Sequence, residues 1–313
     1  MRLLSSRWRH FTPLEVFKLC LKYQKEKNLC FDCTSVFGDA STTSPFMKDD
    51  TKYYPRSNEF VTKVNEVLRY LALPVSKLQS FQVSFFLHDE YASYIDEWVN
   101  LAASKAVNKI DFKFSELYQL HPRVLHDHFY TFPWHVFSSN LNLEHLCLES
   151  CRLKPALVKC CLSSLKTLSL GCVPLEQDEF DNVLSAFSKL ECLILNTCGM
   201  PKTFRIGSGH GEDRLHHLKS LEIYYYRWRS RDNTTRNRNI EIDGLLNLKA
   251  FQYIGHTNKF FFKGSFPSLV SVQFLMRSPD MDFIFDGLPT AVSHLQHLSI
   301  YLYSTHKMKV NAV

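Results

Sequence analysis

Residues that interrupt regular structure are scarce in this 313-residue sequence, which has 10 glycines and 12 prolines. That scarcity excludes collagen-like and low-complexity classes. No apolar run approaches the roughly 18–20 residues a membrane helix needs. The first ten residues carry Arg2, Arg7 and Arg9 where a secretory signal would be apolar. Excess charge is small too: Lys and Arg total 37 against 31 Asp and Glu, a net +6. That is too mild to imply a nucleic-acid partner by itself. No Ser-His-Asp or Cys-His set stands in a recognisable elbow or spacing, which favours a binding protein over an enzyme and suggests no cofactor. Without a signal or span, the ten cysteines are expected in a reducing compartment, cytoplasmic or nuclear, as thiols rather than disulfides.

Leucine is what the sequence has in excess. There are 42 among 313 residues, in a chain whose hydrophobic share of 45% and charged share of 22% suit a globular core. The leucines are spaced. Leu-x-x-Leu-x-Leu-x-x-Cys stands intact at Leu143, Leu146, Leu148 and Cys151, and again at Leu190, Leu193, Leu195 and Cys198. Between them lie Leu165, Leu168, Leu170 and Val173. Looser copies follow at Leu218-Leu221-Ile223, Leu248-Phe251-Tyr253, Leu269-Val272-Phe274 and Leu295-Leu298-Ile300. Earlier ones are Leu78-Phe81-Val83 and Val107-Ile110-Phe112. Successive first positions are 29, 36, 22, 25, 28, 30, 21 and 26 residues apart, close to the 20–29-residue period of leucine-rich repeats.

That spacing has a physical meaning. Leu-x-Leu has period two, so both side chains of a short strand point to one side. The leucine three positions earlier brings the entering chain onto the same core, and the Cys or Val three positions later buries a small side chain as the chain leaves. One unit cannot cover its own apolar face, but stacked units share a core and form a parallel sheet. The 36-residue step from Val107 to Leu143 leaves room for an atypical unit. Return segments read as helical or irregular. Amphipathic helices are expected over Asp178–Phe187, Tyr91–Ala106 and Asn58–Leu71, and a polar loop over Phe37–Pro55. The predicted fold class is an α/β leucine-rich-repeat solenoid with a curved parallel sheet on its concave face. Residues 74–313 would form about nine irregular repeats, and residues 1–73 a small helical cap.

Several segments together resemble plant F-box proteins with leucine-rich repeats, of the group that often ends in an FBD domain. Leu4-Ser5-Ser6-Arg7-Trp8-Arg9-His10 looks like the end of an F-box. Phe60-Val61, Val67-Leu68 and Pro74-Val75-x-Lys77-Leu78 are similar to the segment joining F-box to repeats. Trp98-Val99-x-x-Ala102 leading to Val107-x-x-Ile110-Asp111 matches the next block, and Ser164 to Leu170 is close to the commonest repeat. The resemblance implies a receptor that holds a protein substrate for an SCF-type ubiquitin ligase, reached through a Skp-type adaptor. The family's F-box opens with a Leu-Pro portion not seen before Leu3, and only about a dozen residues follow the final copy. A truncated F-box, marked by Leu4, Arg7, Trp8 and Arg9, and no FBD domain are therefore expected. A stand-alone binding protein or decoy is the alternative reading.

Other motifs carry weaker chemistry. Cys30-Phe31-Asp32-Cys33 has CxxC spacing, but no second pair follows at finger spacing and Leu29 with Phe31 suggests a short buried strand. His126-Asp127-His128, with His121 and His135, lies among prolines and aromatics that suggest an irregular loop rather than a metal site. Gly207-Ser208-Gly209-His210-Gly211 precedes Glu212 and Asp213, which would repel phosphate. Tyr224 to Arg238 interleaves aromatics with Arg227, Arg229 and Arg231 beside Trp228. It reads first as a solvated loop, then as a grip on an acidic protein, then as a nucleic-acid contact.

The candidate binding surface is the set of strand positions that point away from the core. These are His145, Cys147 and Glu149; Thr167, Ser169 and Gly171; Cys192, Ile194 and Asn196; Ser220, Glu222 and Tyr224. Later copies add Gln252, Ile254, Gln273, Leu275, His297, Ser299 and Tyr301. The set is mixed and nearly uncharged, so shape and hydrogen bonding should dominate. Its period-two face follows from the sequence; its binding role comes from the resemblance.

Overall fold

A computed structural model of the chain describes residues 27–37, 54–71, 78–114, 128–137, 142–153, 162–207, 215–225, 238–255, 259–276 and 287–302. The strands are β1 (Asn28–Phe31), β2 (Ser80–Ser84), β3 (Lys109–Lys113), β4 (Tyr130–Thr131), β5 (His145–Glu149), β6 (Cys151–Arg152), β7 (Thr167–Gly171) and β8 (Cys192–Asn196). They continue with β9 (Thr203–Gly207), β10 (Ser220–Tyr225), β11 (Asn239–Asp243), β12 (Ala250–Gly255), β13 (Lys259–Lys263), β14 (Ser271–Met276) and β15 (His297–Leu302). Helices are α1 (Cys33–Phe37), α2 (Tyr54–Leu71), α3 (Ala92–Ser104), α4 (Gln177–Leu184) and α5 (Leu288–Ala291).

Ten strands form one sheet in the order β1-β2-β3-β5-β7-β8-β10-β12-β14-β15, with parallel pairing at each step. Nine of them are the nine repeat matches. Their registers align the repeat positions directly: Leu146 lies opposite Leu168, Leu168 opposite Leu193 and Leu193 opposite Leu221. All four are buried. Because β3 pairs directly with β5, the long step between Val107 and Leu143 inserts no further strand into this sheet.

The tenth strand is β1, which carries no repeat match. Leu29 and Phe31 are buried beside Phe81 and Val83 of β2, so the short strand suggested by those two residues is the sheet's first. Asp32 ends it and starts α1. Its carboxylate accepts the Ser35 N–H at 2.7 Å while its own N–H donates to Ser35 Oγ at 2.8 Å, a reciprocal N-terminal cap.

The exits of the central strands follow one pattern. Ser150, Cys172 and Thr197 each take a left-handed conformation, with φ of 56°, 52° and 53°. That turn drops the next side chain, Cys151, Val173 or Cys198, into the core. The Cys198 thiol lies 3.2 Å from the Leu170 carbonyl of the neighbouring repeat. Backbone N–H groups at the turn continue the ladder, as in Cys172 N–H to Asn196 O at 2.8 Å. Towards both ends of the stack phenylalanine takes the place of some leucines, and the rings pack edge to face from repeat to repeat. Phe31, Phe81 and Phe112 have successive centroids 6.1 and 5.8 Å apart. At the far end Phe251 sits 5.8 Å from Phe274.

The three amphipathic helices read from the sequence are present, with α3 burying Ile95, Trp98, Val99 and Ala102 and α4 burying Phe180, Val183 and Leu184. Elsewhere the return segments correct the expectation of helix or irregular chain. β9, β11 and β13 form a second parallel sheet in the order β13-β11-β9, and β4 pairs with β6. The reason is period two again: Phe204 and Ile206, Ile240 and Ile242, and Phe260 point inward and are buried, with Phe262 partly buried against the same core. Phe260 packs 4.7 Å from Tyr253 and 5.5 Å from Phe274, closing the core between the two sheets. On the outer side Glu241 receives Arg205 Nε at 2.9 Å and Lys263 Nζ at 3.0 Å. The Lys263 hydrogen bond, with the charges of Lys263 and Arg205, holds the Glu241 carboxyl below its ordinary range. Gln177 of α4 closes the β9 edge, accepting the Arg205 N–H at 2.9 Å and donating to its carbonyl at 3.1 Å.

The last repeat departs from the pattern in its burial. Leu298 belongs to the core set yet is 41% exposed, because β15 is the last strand of the sheet. Of the predicted polar loop, residues 38–53 lie outside the described residues, as do the F-box-like positions Leu4, Arg7, Trp8 and Arg9.

Candidate interaction surface

Strand registers arrange the outward side chains in three rows that cross the sheet. The row nearest strand entry includes Lys109, His145, Thr167, Cys192, Ser220 and His297. A middle row runs from Cys30 and Gln82 through Asp111, Cys147, Ser169, Ile194, Glu222, Gln252 and Gln273 to Ser299. The exit row contains Lys113, Glu149, Gly171, Asn196, Tyr224, Ile254, Leu275 and Tyr301. The outward residues named from the sequence are exposed or half-buried, except Gly171, which is buried, while the strand neighbours of the eight inner strands are buried, except the half-buried Tyr225. Gly171 is buried beneath the Glu149 side chain in the exit row, where a Cβ would stand 3.0 Å from Glu149 Cγ.

Polar groups on this face are tied to one another. Tyr224 donates its hydroxyl to Glu222 Oε2 at 2.6 Å and lies 3.4 Å from Gln252 Oε1. Lys113 Nζ contacts Asp111 Oδ2 at 3.2 Å. Burial, and then the Asp111 carboxylate, push the Cys147 thiol up to about 12. Burial is also the main cause raising Cys30, with Asp32 and Asp111 adding to it. These thiols are thus protonated near neutral pH and serve as weakly polar surface, not nucleophiles. At the β1–β3 end, Asn28, Cys30, Gln79, Ser80, Gln82, Asn108 and Lys109 line a cleft of about 480 Å³.

Along one flank of the face runs a ladder of charge that the sequence reading missed. The residues just before the strands are Glu144, Lys166, Glu191, Lys219 and Lys249, joined by backbone bonds in which each pair of N–H groups shares the preceding carbonyl. Lys166 pairs with Glu144 at 2.9 Å and Lys219 with Glu191 at 2.9 Å. The alternation breaks at Lys249, which is exposed and has no carboxylate partner among the described residues. The signal was in the sequence, one position before each outward residue.

The other motifs do not gather into a site among the described residues. Cys30 faces outward on β1 while Cys33 opens α1. His128 Nδ1 lies 3.6 Å from Asp89 Oδ1, His135 is exposed in the turn Trp134–Phe137, and His121 and His126 lie outside the described residues. No group of three or more His, Cys, Asp or Glu able to hold a metal occurs among the described residues. Gly207 ends β9 at φ +131°, where a Cβ would meet the Asp243 carbonyl. Arg227, Trp228, Arg229 and Arg231 lie outside the described residues. Arg238 is described, its guanidinium 5.5 Å above the Tyr225 ring.

Comparison with known proteins gives the repeats a family. The family model described as the At1g61320/AtMIF1 LRR domain matches residues 73–312, more than half the chain. The chain belongs to this leucine-rich-repeat family. Over 167 residues, 53% of the chain, this repeat protein is 29% identical to F-box protein At5g03100 of Arabidopsis thaliana. The aligned stretch spans 47% of that relative's length. No solved structure matches. The two matches agree with the resemblance read from the sequence, and the fold they imply is a protein-interaction scaffold. Among the described residues no helix is long and apolar enough to cross a membrane.

Proposed function

We propose that the chain is a non-catalytic substrate receptor of an SCF-type ubiquitin ligase, holding a protein target on the open face of its sheet. The observation that carries this reading is the likeness to F-box protein At5g03100 in a chain with an open ten-stranded face. The mechanism is positional. The outward rows bind the target, a Skp-type adaptor binds the N-terminal segment around Leu4, Arg7, Trp8 and Arg9, and a separate enzyme modifies the target's lysines. No residue of the chain performs chemistry in this scheme. Half-buried hydroxyls, amides and apolar side chains, already held by neighbours, lose little freedom on contact, which suits a recognition surface.

The test is direct binding of the 313-residue chain to a purified Skp-type adaptor, beside a control that carries a complete F-box. Binding that falls when Trp8 and Leu4 become Ala is the expected result. No binding, with the control positive and the chain folded by circular dichroism, overturns adaptor recruitment. It leaves a stand-alone interaction protein that recognises a target without delivering it.

A further inference from the structure

The cleft across β1, β2 and β3 is lined by side chains that the fold does not use. The amides of Gln79, Gln82 and Asn108 and the ammonium of Lys109 open onto it. No side-chain hydrogen bond or ion pair joins any of the four to another protein group among the described residues. A fifth group is set by the wall itself. Buried Ser80 donates its hydroxyl to Asn28 Oδ1 at 2.8 Å, which leaves the amide nitrogen of Asn28 for the cleft. The acids nearby are engaged elsewhere: Asp111 receives Lys113 at 3.2 Å, Glu144 receives Lys166 at 2.9 Å, and Asp32 caps α1. No carboxylate, arginine or aromatic ring belongs to the lining. The cleft thus offers one cation and four amides.

We propose that this cleft takes the C-terminal tail of a target protein, with the terminal carboxylate on Lys109 and the last peptide groups on the amides; the proposal rests on the receptor reading above and names the part of the target that is held.

The composition of the lining selects this occupant. A free C-terminus carries one negative charge directly on a main chain whose peptide groups both donate and accept, and side-chain amides do both as well. A phosphate brings a charge of about −1.5 to −2 and acceptor oxygens; its sites draw on arginine forks or several cations, and here there is one lysine. A nucleic-acid base needs an aromatic platform. An internal Asp or Glu holds its carboxylate out on a side chain, so the main chain is set back from the amides when the carboxylate meets Lys109. Size agrees with the same reading. Asn28 and Lys109 stand in one row two strands apart, about 9.6 Å, and about three residues of extended chain cover that distance. The strand spacing sets the length of the tail; the lining sets its chemistry.

The test offers the full chain a peptide library with free C-termini, randomised over the last residues. Enriched sequences are measured by fluorescence anisotropy beside the same sequences ending in an amide. Loss of about tenfold or more on amidation is the expected result. Lys109→Met keeps the stem and removes the charge, and should weaken the free acids as much. Amidation should then cost K109M little more, the coupling that marks a direct pair. Gln82→Leu should weaken acid and amide forms alike. An unchanged circular dichroism spectrum shows that the variants fold. Equal binding of acid and amide forms, no enrichment, or an amidation loss as large in K109M as in the parent chain overturns the proposal. So does tighter binding of an amide ending in phosphoserine than of the free acid, which reassigns the cleft to phosphate. Each of these outcomes with adaptor binding intact leaves the receptor reading standing. Loss of adaptor binding with the preference for a free C-terminus retained does the opposite.

Discussion

Leu193 and Ile194 are neighbours on β8, similar in volume and opposite in direction. Leu193 is fully buried against its counterparts in β7 and β10, whereas Ile194 is half-buried on the open face. Replacing a buried leucine by alanine removes its transfer energy and leaves a cavity, together about 2–5 kcal/mol. Replacing a half-exposed isoleucine forfeits about half of a full burial, near 1 kcal/mol. Leu193→Ala should therefore cost at least about 1 kcal/mol more than Ile194→Ala, roughly a fivefold difference in the folding constant. Urea unfolding followed by circular dichroism gives the two values. Hydrogen exchange locates them, because contacts in a solenoid are mainly between adjacent repeats. Amide protection should fall most in β7, β8 and β10 and least in β1 and β15. Equal costs for the two variants, or a greater cost for Ile194→Ala, would refute the face assignment on which the candidate surface depends.

Two further outcomes follow from the strand exits and the thiols. Thr197 is β-branched yet sits at φ 53°, a conformation costing an L-residue about 1–2 kcal/mol; Thr197→Gly should raise stability by about 0.5–1 kcal/mol in the same urea titration after glycine's own entropy is subtracted, and a loss would show that the turn is unstrained. For Cys147, whose thiol is pushed by burial from 9.0 to about 12, the folded state binds the extra proton between those values, so its share of stability is whole below pH 9 and is lost as pH rises towards 12. Cys147→Ser should flatten that alkaline slope, and an unchanged slope would remove the thiol as its cause.

How far the sequence could be read depended on which side chains were leucine. In the central repeats Leu146, Leu168 and Leu193 declare both strand and register, because a period-two pair flanked by a third apolar residue has one packing solution. β1 was legible as a short buried strand but not as a repeat, since Glu26 stands where the other repeats carry their first apolar residue, although Leu29 and Phe31 still pair with Phe81 and Val83. The second sheet was hidden differently. Phe204 and Ile206, or Ile240 and Ile242, form pairs too short to distinguish strand from irregular chain without the neighbours that pair with them. Outward positions came directly from alternation, so Tyr224, Gln252 and Tyr301 were legible as surface. Their grouping was not, because the apolar row from Tyr224 to Tyr301 exists only across three registers. The break in charge alternation at Lys249 likewise needs the ladder that aligns it with Lys219.

The second sheet has a mechanical consequence. From β8 to β12 each main strand is followed by a strand of the opposite layer, β9, β11 or β13, so these repeats are laced by backbone hydrogen bonds on both sides of their core. Among the described residues the repeat of β2 is laced on one side and carries α3 on the other, and that of β3 adds only the two-residue pairing of β4 with β6. A beam with two tensioned flanges resists bending more than a beam with one. Flexing of the solenoid should concentrate at its α3 end, while the section from β8 to β12 holds the spacing of its outward rows.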